Sequence, residues 1–279
     1  MDNRFDRNER FFGKVGQERL RCARLLFLGA GGLGSIAIAQ SALLGVGNMA
    51  MVDREEISNS NRNRYVGVWH DDPVPGSAKV DIARRHVQLI DPDITVQAIN
   101  ADILSREAVE AVKAADYVVS SVDNDGVRFF INEACLAYEK PLIDLASDVP
   151  EVGVFGGRVA VVAGGHGCLH CMDILDPDDV RRFFSSRDQL ENEAAVYGIE
   201  ASALDEAGPS VVSLNGVVVS LGVTALMALI TEMPMPYTLQ TYRGDKGTVT
   251  RQTTKQVEGC YYCSAVKGLG DAAELGRYF

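Results

Sequence analysis

Residues 24–34 read RLLFLGAGGLG, an apolar run that halts at Gly29-Ala30-Gly31-Gly32-Leu33-Gly34 and resumes as the helix-like SIAIAQSALLG. Strand, glycine turn and helix stand in the order that builds a phosphate site. Glycines let the backbone approach a phosphate closely, and the N–H groups and dipole at the start of the helix favour negative charge. The next apolar stretch, NMAMVD, ends on Asp53, nineteen residues after Gly34. An acid at that place can accept hydrogen bonds from ribose hydroxyls. Alone, the GxGxxG pattern is shared by many dinucleotide enzymes, so a nicotinamide dehydrogenase is its default reading.

Working outward, TVQAI (95–99), DYVVSS (116–121) and PLIDLA (141–146) read as further strands. Amphipathic segments at Ala78 to Leu89, Ser105 to Ala114 and Val127 to Tyr138 separate them. That alternation predicts an α/β fold: a doubly wound, mostly parallel Rossmann-like sheet with helices on both faces. The 279 residues, 47% hydrophobic and 23% charged, fit one domain with an elaborated second half. A net charge of -11 without a dense Lys/Arg patch argues against a nucleic acid or an anionic membrane as partner, and for a protein. The polar start MDNRFDRNERFFGK has no apolar core of a secretion signal, which predicts a cytoplasmic protein. Pro209 to Thr231 carries no charge and is long enough to cross a bilayer. Ser213, Asn215, Gly216, Ser220, Gly222 and Thr224 dilute it, and acids rather than Lys/Arg flank it, so the expectation is a fully buried helix and no membrane span.

Beyond Asp53, the residues suit a triphosphate better than a nicotinamide dinucleotide. Asn61, Asn63 and Arg64 follow closely enough to reach phosphates, and Lys79 enters the next helix from Gly76-Ser77-Ala78. Cations there would neutralise charge that develops during phosphoryl chemistry. Asp123 ends the apolar run DYVVSSV, where strand C-termini of open sheets meet the ligand, and a carboxylate there suits Mg²⁺ held with substrate phosphates.

Four of the six cysteines form two hooks, Cys168-Leu169-His170-Cys171 and Cys260-Tyr261-Tyr262-Cys263. Two hooks supply the ligand type and number of a structural zinc site, whereas a redox role needs only one of them. His166 and His170 beside the first hook read as loop residues, and His70 and His86 carry no signal. Cys22 and Cys135 lie in apolar helical contexts and read as core.

The chain resembles the E1-like family, the thiamin and molybdopterin sulfur-carrier activators and the ubiquitin-activating enzymes, along most of its length. The resemblance rests on Arg4-Phe5-Asp6-Arg7, Gly13, Gly16-Gln17 and Leu20, the glycine turn through Ser35, and Asp53. It continues through Ser60-Asn61, Asn63-Arg64, Gly76, Lys79, Asp123-Asn124, Arg128 and Asn132. It implies ATP- and Mg²⁺-dependent adenylation of the C-terminal carboxylate of a ubiquitin-like protein or peptide with an extended, Gly-ending tail, releasing pyrophosphate. In those terms Asp53 would bind the ribose, and Gly29, Gly31, Gly32, Gly34, Asn61, Asn63, Arg64 and Lys79 would line the nucleotide. Asp123 would hold Mg²⁺, and Arg7, on an N-terminal arm, would serve the partner subunit's site in a homodimer, with Arg7, Arg64, Lys79 and Asp123 as the catalytic set. The family also carries the distant pairing of the two hooks, implying Zn²⁺ on Cys168, Cys171, Cys260 and Cys263. The chain then divides into the arm (1–23), a nucleotide-binding half (24–165), hook and crossover (166–208), and the buried helix with C-terminal strands and second hook (209–279).

Two departures stand out. Relatives often place a cysteine four residues before a glycine in the crossover, but here the stretch is Leu204-Asp205-Glu206-Ala207-Gly208, and no cysteine occurs between Met172 and Gly259. Tyr65 replaces the family's usual Gln. No thioester on the enzyme is therefore expected, and Ser202 and Ser210 are the nearest oxygen nucleophiles. The acyl group would stop at the adenylate or pass to a separate, E2-like acceptor. Two further readings compete: a non-catalytic half of a heterodimeric activator, and a tRNA-modifying dehydratase that also adenylates a carboxylate. The first usually loses the arginine, lysine or acid kept here, and the second lacks its basic patch.

Overall fold

The computed structural model describes residues 3–185 and 208–279. Strands β1 (Arg24–Leu28), β2 (Asn48–Val52), β3 (Thr95–Ile99), β4 (Tyr117–Ser120) and β5 (Leu142–Glu151) are joined by helices. These are α2 (Gly32–Leu43), α3 (Lys79–Ile90), α4 (Arg106–Ala114) and α5 (Asp125–Ala137), with α1 (Asp6–Cys22) preceding β1. Beyond them come β6 (Val154–Val162), α6 (Pro177–Phe184), a long helix α7 (Val212–Thr231), β7 (Leu239–Arg243) and β8 (Thr248–Gln252). One eight-stranded sheet runs in the order β3-β2-β1-β4-β5-β6-β7-β8. Its first five strands pair in parallel and its last three antiparallel. Strand order reverses between β1 and β4, and the crevice beyond the carboxyl ends of those strands is where open α/β sheets take ligands.

Alternation along the strands divides the core in two. Phe27, Met51, Val119, Ile143, Leu145 and Val159 face α2, α3 and α7. Leu26, Leu28, Val52, Val118, Leu142 and Ala160 face α4, α5 and the cysteine hooks. Helix α7 is long and apolar enough to cross a membrane, yet about two-thirds of it is buried, with Val218, Val219 and Leu226 at or near zero exposure. A Cβ on its Gly222 would overlap Leu145, so the glycine lets helix and β5 meet closely. The helix is not fully buried as anticipated: Val212 and Val217 remain exposed because only one of its faces meets the sheet.

The N-terminal arm is a helix outside the sheet that rests on the body: Gln17 donates to the Leu44 carbonyl (3.0 Å) and Arg19 to that of Thr231 (3.3 Å). Two other expectations change. Cys22 is exposed at the end of α1, not core, because it falls on the face of that helix turned away from Leu20 and Gln17, whereas Cys135 is buried. Strand β6, absent from the strands expected above, carries Gly156-Gly157, residues that weaken a strand pattern. In the sheet Gly157 lies under α7, where a Cβ would overlap both the Ala146 carbonyl oxygen and Val218. Its backbone neighbour cannot move aside, so Gly157→Ala should cost about 1–3 kcal/mol of stability, read as a lowered urea midpoint with unchanged slope.

Candidate active site

The glycine turn shapes the floor of a cavity of about 1700 Å³ in the crevice beyond β1, β2 and β4. Gly29 sits at φ +91°, a conformation side chains resist, and a Cβ on Gly34 would overlap the Gly29 carbonyl oxygen. Those two constraints fold β1 straight into α2. No side chain caps α2, so the N–H groups of its first turn are left for a ligand. Gly31 is open, with nothing near its absent Cβ. Gly32 is wedged between the Arg64 side chain and Asn215 of α7, whose amide nitrogen would lie 2.7 Å from a Cβ there.

Asp53 lies at the end of β2, its two oxygens accepting from Ala30 N and Glu55 N, both at 2.8 Å. Burial raises its carboxyl above the usual aspartate value, against the pull of nearby Lys79 and those two N–H groups. Each carboxylate oxygen keeps a lone pair free for a ribose hydroxyl. After it, a loop carries Asn61, Asn63 and Arg64 and is clasped to α3 by Arg85, which donates to the Gly67 carbonyl (2.8 Å) and pairs with Asp72. That guanidinium holds the Asp72 carboxyl down to about 2, so the clasp stays charged at neutral pH.

The cavity walls include Gly29, Gly31, Gly32, Asp53, Asn61, Arg64, Lys79 and Asp123. Three other anticipated residues lie off the wall. Gly34 packs the turn. Asn63 accepts from Arg64 (3.0 Å) and steadies it, and Arg7 is exposed on α1. Lys79 is 6% exposed and its ammonium pairs with Glu55, so an incoming phosphate must compete with that acid. Asp123 is exposed and has no hydrogen-bond or ion-pair partner among the described residues. Such a free carboxylate, just before the start of α5, suits a divalent cation.

Several wall residues carried no signal in the sequence. Asn215 is 1% exposed and donates to Ser210 (3.1 Å), yet it read only as a polar interruption of an apolar helix. Ser210 itself lines the cavity, while Ser202 falls outside the described residues. Arg158 of β6, the outer ends of β5 and β6, and Thr241, Tyr242 and Arg243 of β7 also line the cavity. A strand not foreseen could not contribute a foreseen site residue.

The cysteine hooks meet on the α5 side of the sheet. Their four sulfur atoms lie within 4.8 Å of one another, with separations of 3.8, 3.9 and 3.7 Å for Cys168–Cys171, Cys168–Cys260 and Cys171–Cys263. A tetrahedron of sulfurs at about 2.3 Å from a central zinc has edges of about 3.8 Å. The cluster therefore fits a zinc ion, and all four cysteines are free of disulfides. Val257 N–H points at Cys171 Sγ (3.4 Å), a contact that favours a thiolate.

The chain is similar in sequence to several known proteins. A HesA protein of Nostoc is 33% identical over 174 residues, 62% of this chain and 67% of its own. The sulfur carrier protein ThiS adenylyltransferase of Bacillus subtilis is 30% identical over 174 residues, 62% of this chain and 51% of its own. The molybdopterin-synthase adenylyltransferase of Escherichia coli is 33% identical over 168 residues, 60% of this chain and 65% of its own. The chain thus spans about half to two-thirds of the length of these relatives. Among solved structures, Escherichia coli MccB with ATP superposes with a TM-score of 0.74 at 19% identity, covering 95% of this chain and 75% of that one. MccB with a modified MccA gives 0.76 at 20% identity, covering 94% and 75%, a likeness of fold. The ThiF family model matches residues 5–264, nearly the whole chain, and with the glycine turn, Asp53, Arg64, Lys79 and Asp123 gathered at one crevice, this chain belongs to the ThiF family of E1-like proteins.

Proposed function

We propose that this protein is an ATP- and Mg²⁺-dependent adenylyltransferase that activates the C-terminal carboxylate of a ubiquitin-like protein or peptide. The observation that carries the reading is a single cavity whose lining gathers the glycine turn, Asp53, Asn61, Arg64, Lys79 and Asp123 together with residues of β5, β6 and β7.

In this reading Asp53 holds the ribose, and the first turn of α2, Asn61, Arg64 and Lys79 hold the triphosphate, with Asn63 steadying Arg64. Asp123 would hold Mg²⁺, which shields phosphate charge. A carboxylate oxygen of the tail bonds to the α-phosphorus while the bond from that phosphorus to the β-bridging oxygen breaks, and the electron pair leaves with pyrophosphate. The nucleophile is already ionised, so the protein needs no base; positioning and charge neutralisation carry the rate. Retention of Arg64, Lys79 and Asp123 in one cavity favours an enzyme over a non-catalytic half. The chain works in the cytoplasm as a homodimer, with Arg7 reaching the partner's site.

The reaction stops at the adenylate or passes the acyl group straight to a separate, E2-like acceptor. Among the described residues no cysteine lines the cavity: Cys135 is buried, Cys22 lies on α1, and the other four form the cluster. That cluster holds zinc, whose role is structural because four thiolates leave no open coordination position.

Asp123→Ala should leave the fold intact and lower ATP–pyrophosphate exchange with an active tail by about 100-fold or more; an unchanged rate would sink the assignment. Metal analysis of protein purified without chelators should find one zinc per chain, lost together with thermal stability on chelation, and less than half an equivalent would count against the site. Mixing Arg7→Ala with Asp123→Ala subunits should restore part of the activity that each lacks alone. Full activity of a strictly monomeric preparation would exclude the shared site.

A further inference from the structure

On and beside β5 and β6 lies a group of charges that the adenylation reading leaves unassigned. Asp144 of β5 is completely buried, lies behind the cavity wall, and neither of its oxygens has a hydrogen-bond partner. Arg128 of α5 approaches it, with Nε 3.5 Å from Asp144 Oδ1, and is otherwise committed to Asp125 (2.7 Å) and the Val122 carbonyl. Arg158 comes from β6. In the β5–β6 ladder Asp144 pairs with Ala160 and Ala146 with Arg158, so alternation puts Arg158 on the same face as Asp144.

Among the described cations that line the cavity, Arg158 is the one with neither a close acid of its own nor a hydrogen bond. Arg54, Lys79, Arg182 and Arg243 also line the cavity, and each pairs with an acid of its own. Arg64 is bound to the Ser60 carbonyl and Asn63. Arg158 reaches Asp125 only at 3.6 Å, an oxygen that Arg128 already holds more closely, and its Nε and Nη2 make no hydrogen bond. The side chain is nevertheless only a quarter exposed. Burial draws its pKa below the usual guanidinium value, a cost that neighbouring Asp144 only partly offsets. Buried guanidinium nitrogens with unmade bonds are expensive unless a ligand completes them.

The place of Arg158 selects the ligand. It stands two strands beyond β4, about 10 Å along the sheet from the strand end that carries Asp123, among the lining residues of β5, β6 and β7. Phosphates are served from the opposite side by the α2 terminus, Arg64 and Lys79. An ionised tail that must approach a polyphosphate needs a cation on its own side, and a guanidinium fork matches a carboxylate.

We propose that Arg158, with the buried carboxylate of Asp144 nearby, receives the tail's terminal carboxylate by donating to the oxygen that does not attack, leaving the other oxygen turned toward the α-phosphorus. The inference rests on the adenylation reading and names the residue that presents the nucleophile.

The test uses two peptides of one sequence ending in Gly-Gly, one with a free carboxylate and one with a carboxamide, titrated into full-length protein with and without a non-hydrolysable ATP analogue and Mg²⁺. The wild-type chain should prefer the carboxylate form by about 10- to 100-fold, the range of a charge-assisted hydrogen bond. In Arg158→Met that preference should shrink to within about three-fold while the affinity for the ATP analogue is unchanged, and Arg158→Lys should recover part of it. A preference that survives in Arg158→Met, equal binding of the two peptides by the wild-type chain, or binding of neither overturns the proposal. Failure to bind the ATP analogue would strike the adenylation reading alone, because the peptide comparison is also read without nucleotide.

Discussion

The close approach of Gly34 to the Gly29 carbonyl is the constraint on which the site depends. Because no side chain intervenes, β1 turns into α2 within a few residues, and the helix begins at the cavity floor with its first N–H groups uncapped. Asp53 then closes the turn from the neighbouring strand by accepting from Ala30 N, and Ser121 closes it from β4 by donating to the Gly29 carbonyl at 2.8 Å. Three parallel strands thus converge on one backbone turn. Arg64 and Asn215 settle against its glycines because no Cβ keeps them away.

Around that turn the molecule keeps its charges in pairs. Lys79 rests on Glu55, Arg85 on Asp72, and Glu133, almost wholly buried on α5, is met by Arg277 and Tyr278 from the C-terminal segment. Burying one member without the other would cost several kcal/mol, so each pair also dictates which segments must meet. The cysteine cluster has the same effect at longer range: it joins the loop after β6 to the segment after β8 and closes the antiparallel half over α5. Among the described residues Arg158 and Asp144 depart from this economy by their unmade hydrogen bonds, and Arg158 lines the cavity.

Much of the first half was legible from residue pattern. The five parallel strands and the helices between them have local signals: short apolar runs, period-3.6 stripes, and Gly or Asp at their ends. Asn124 illustrates the margin of error. Its side chain accepts from Gly126 N and Val127 N and starts α5 at Asp125, two residues before the apolar stripe begins. Strand β6 and the outer half of β5 were not legible, because Gly156, Gly157 and the polar SDVPE stretch have no intrinsic preference for a strand and are held by their neighbours.

Residue pattern alone specifies the parallel βαβ core, the phosphate-binding turn, the acids at strand ends and the two cysteine hooks, because each is written in residues a few positions apart and governed by backbone sterics or ligand chemistry. Tertiary structure alone decided that hooks nearly ninety residues apart come within sulfur-to-sulfur reach, and that Lys79 answers to Glu55. It also decided that Asn215 leans on the glycine turn and that Arg158 ends up beside Asp125 and Asp144 with bonds to spare. Those outcomes depend on strand order and on which faces pack together, and chain-local propensity carries no record of either.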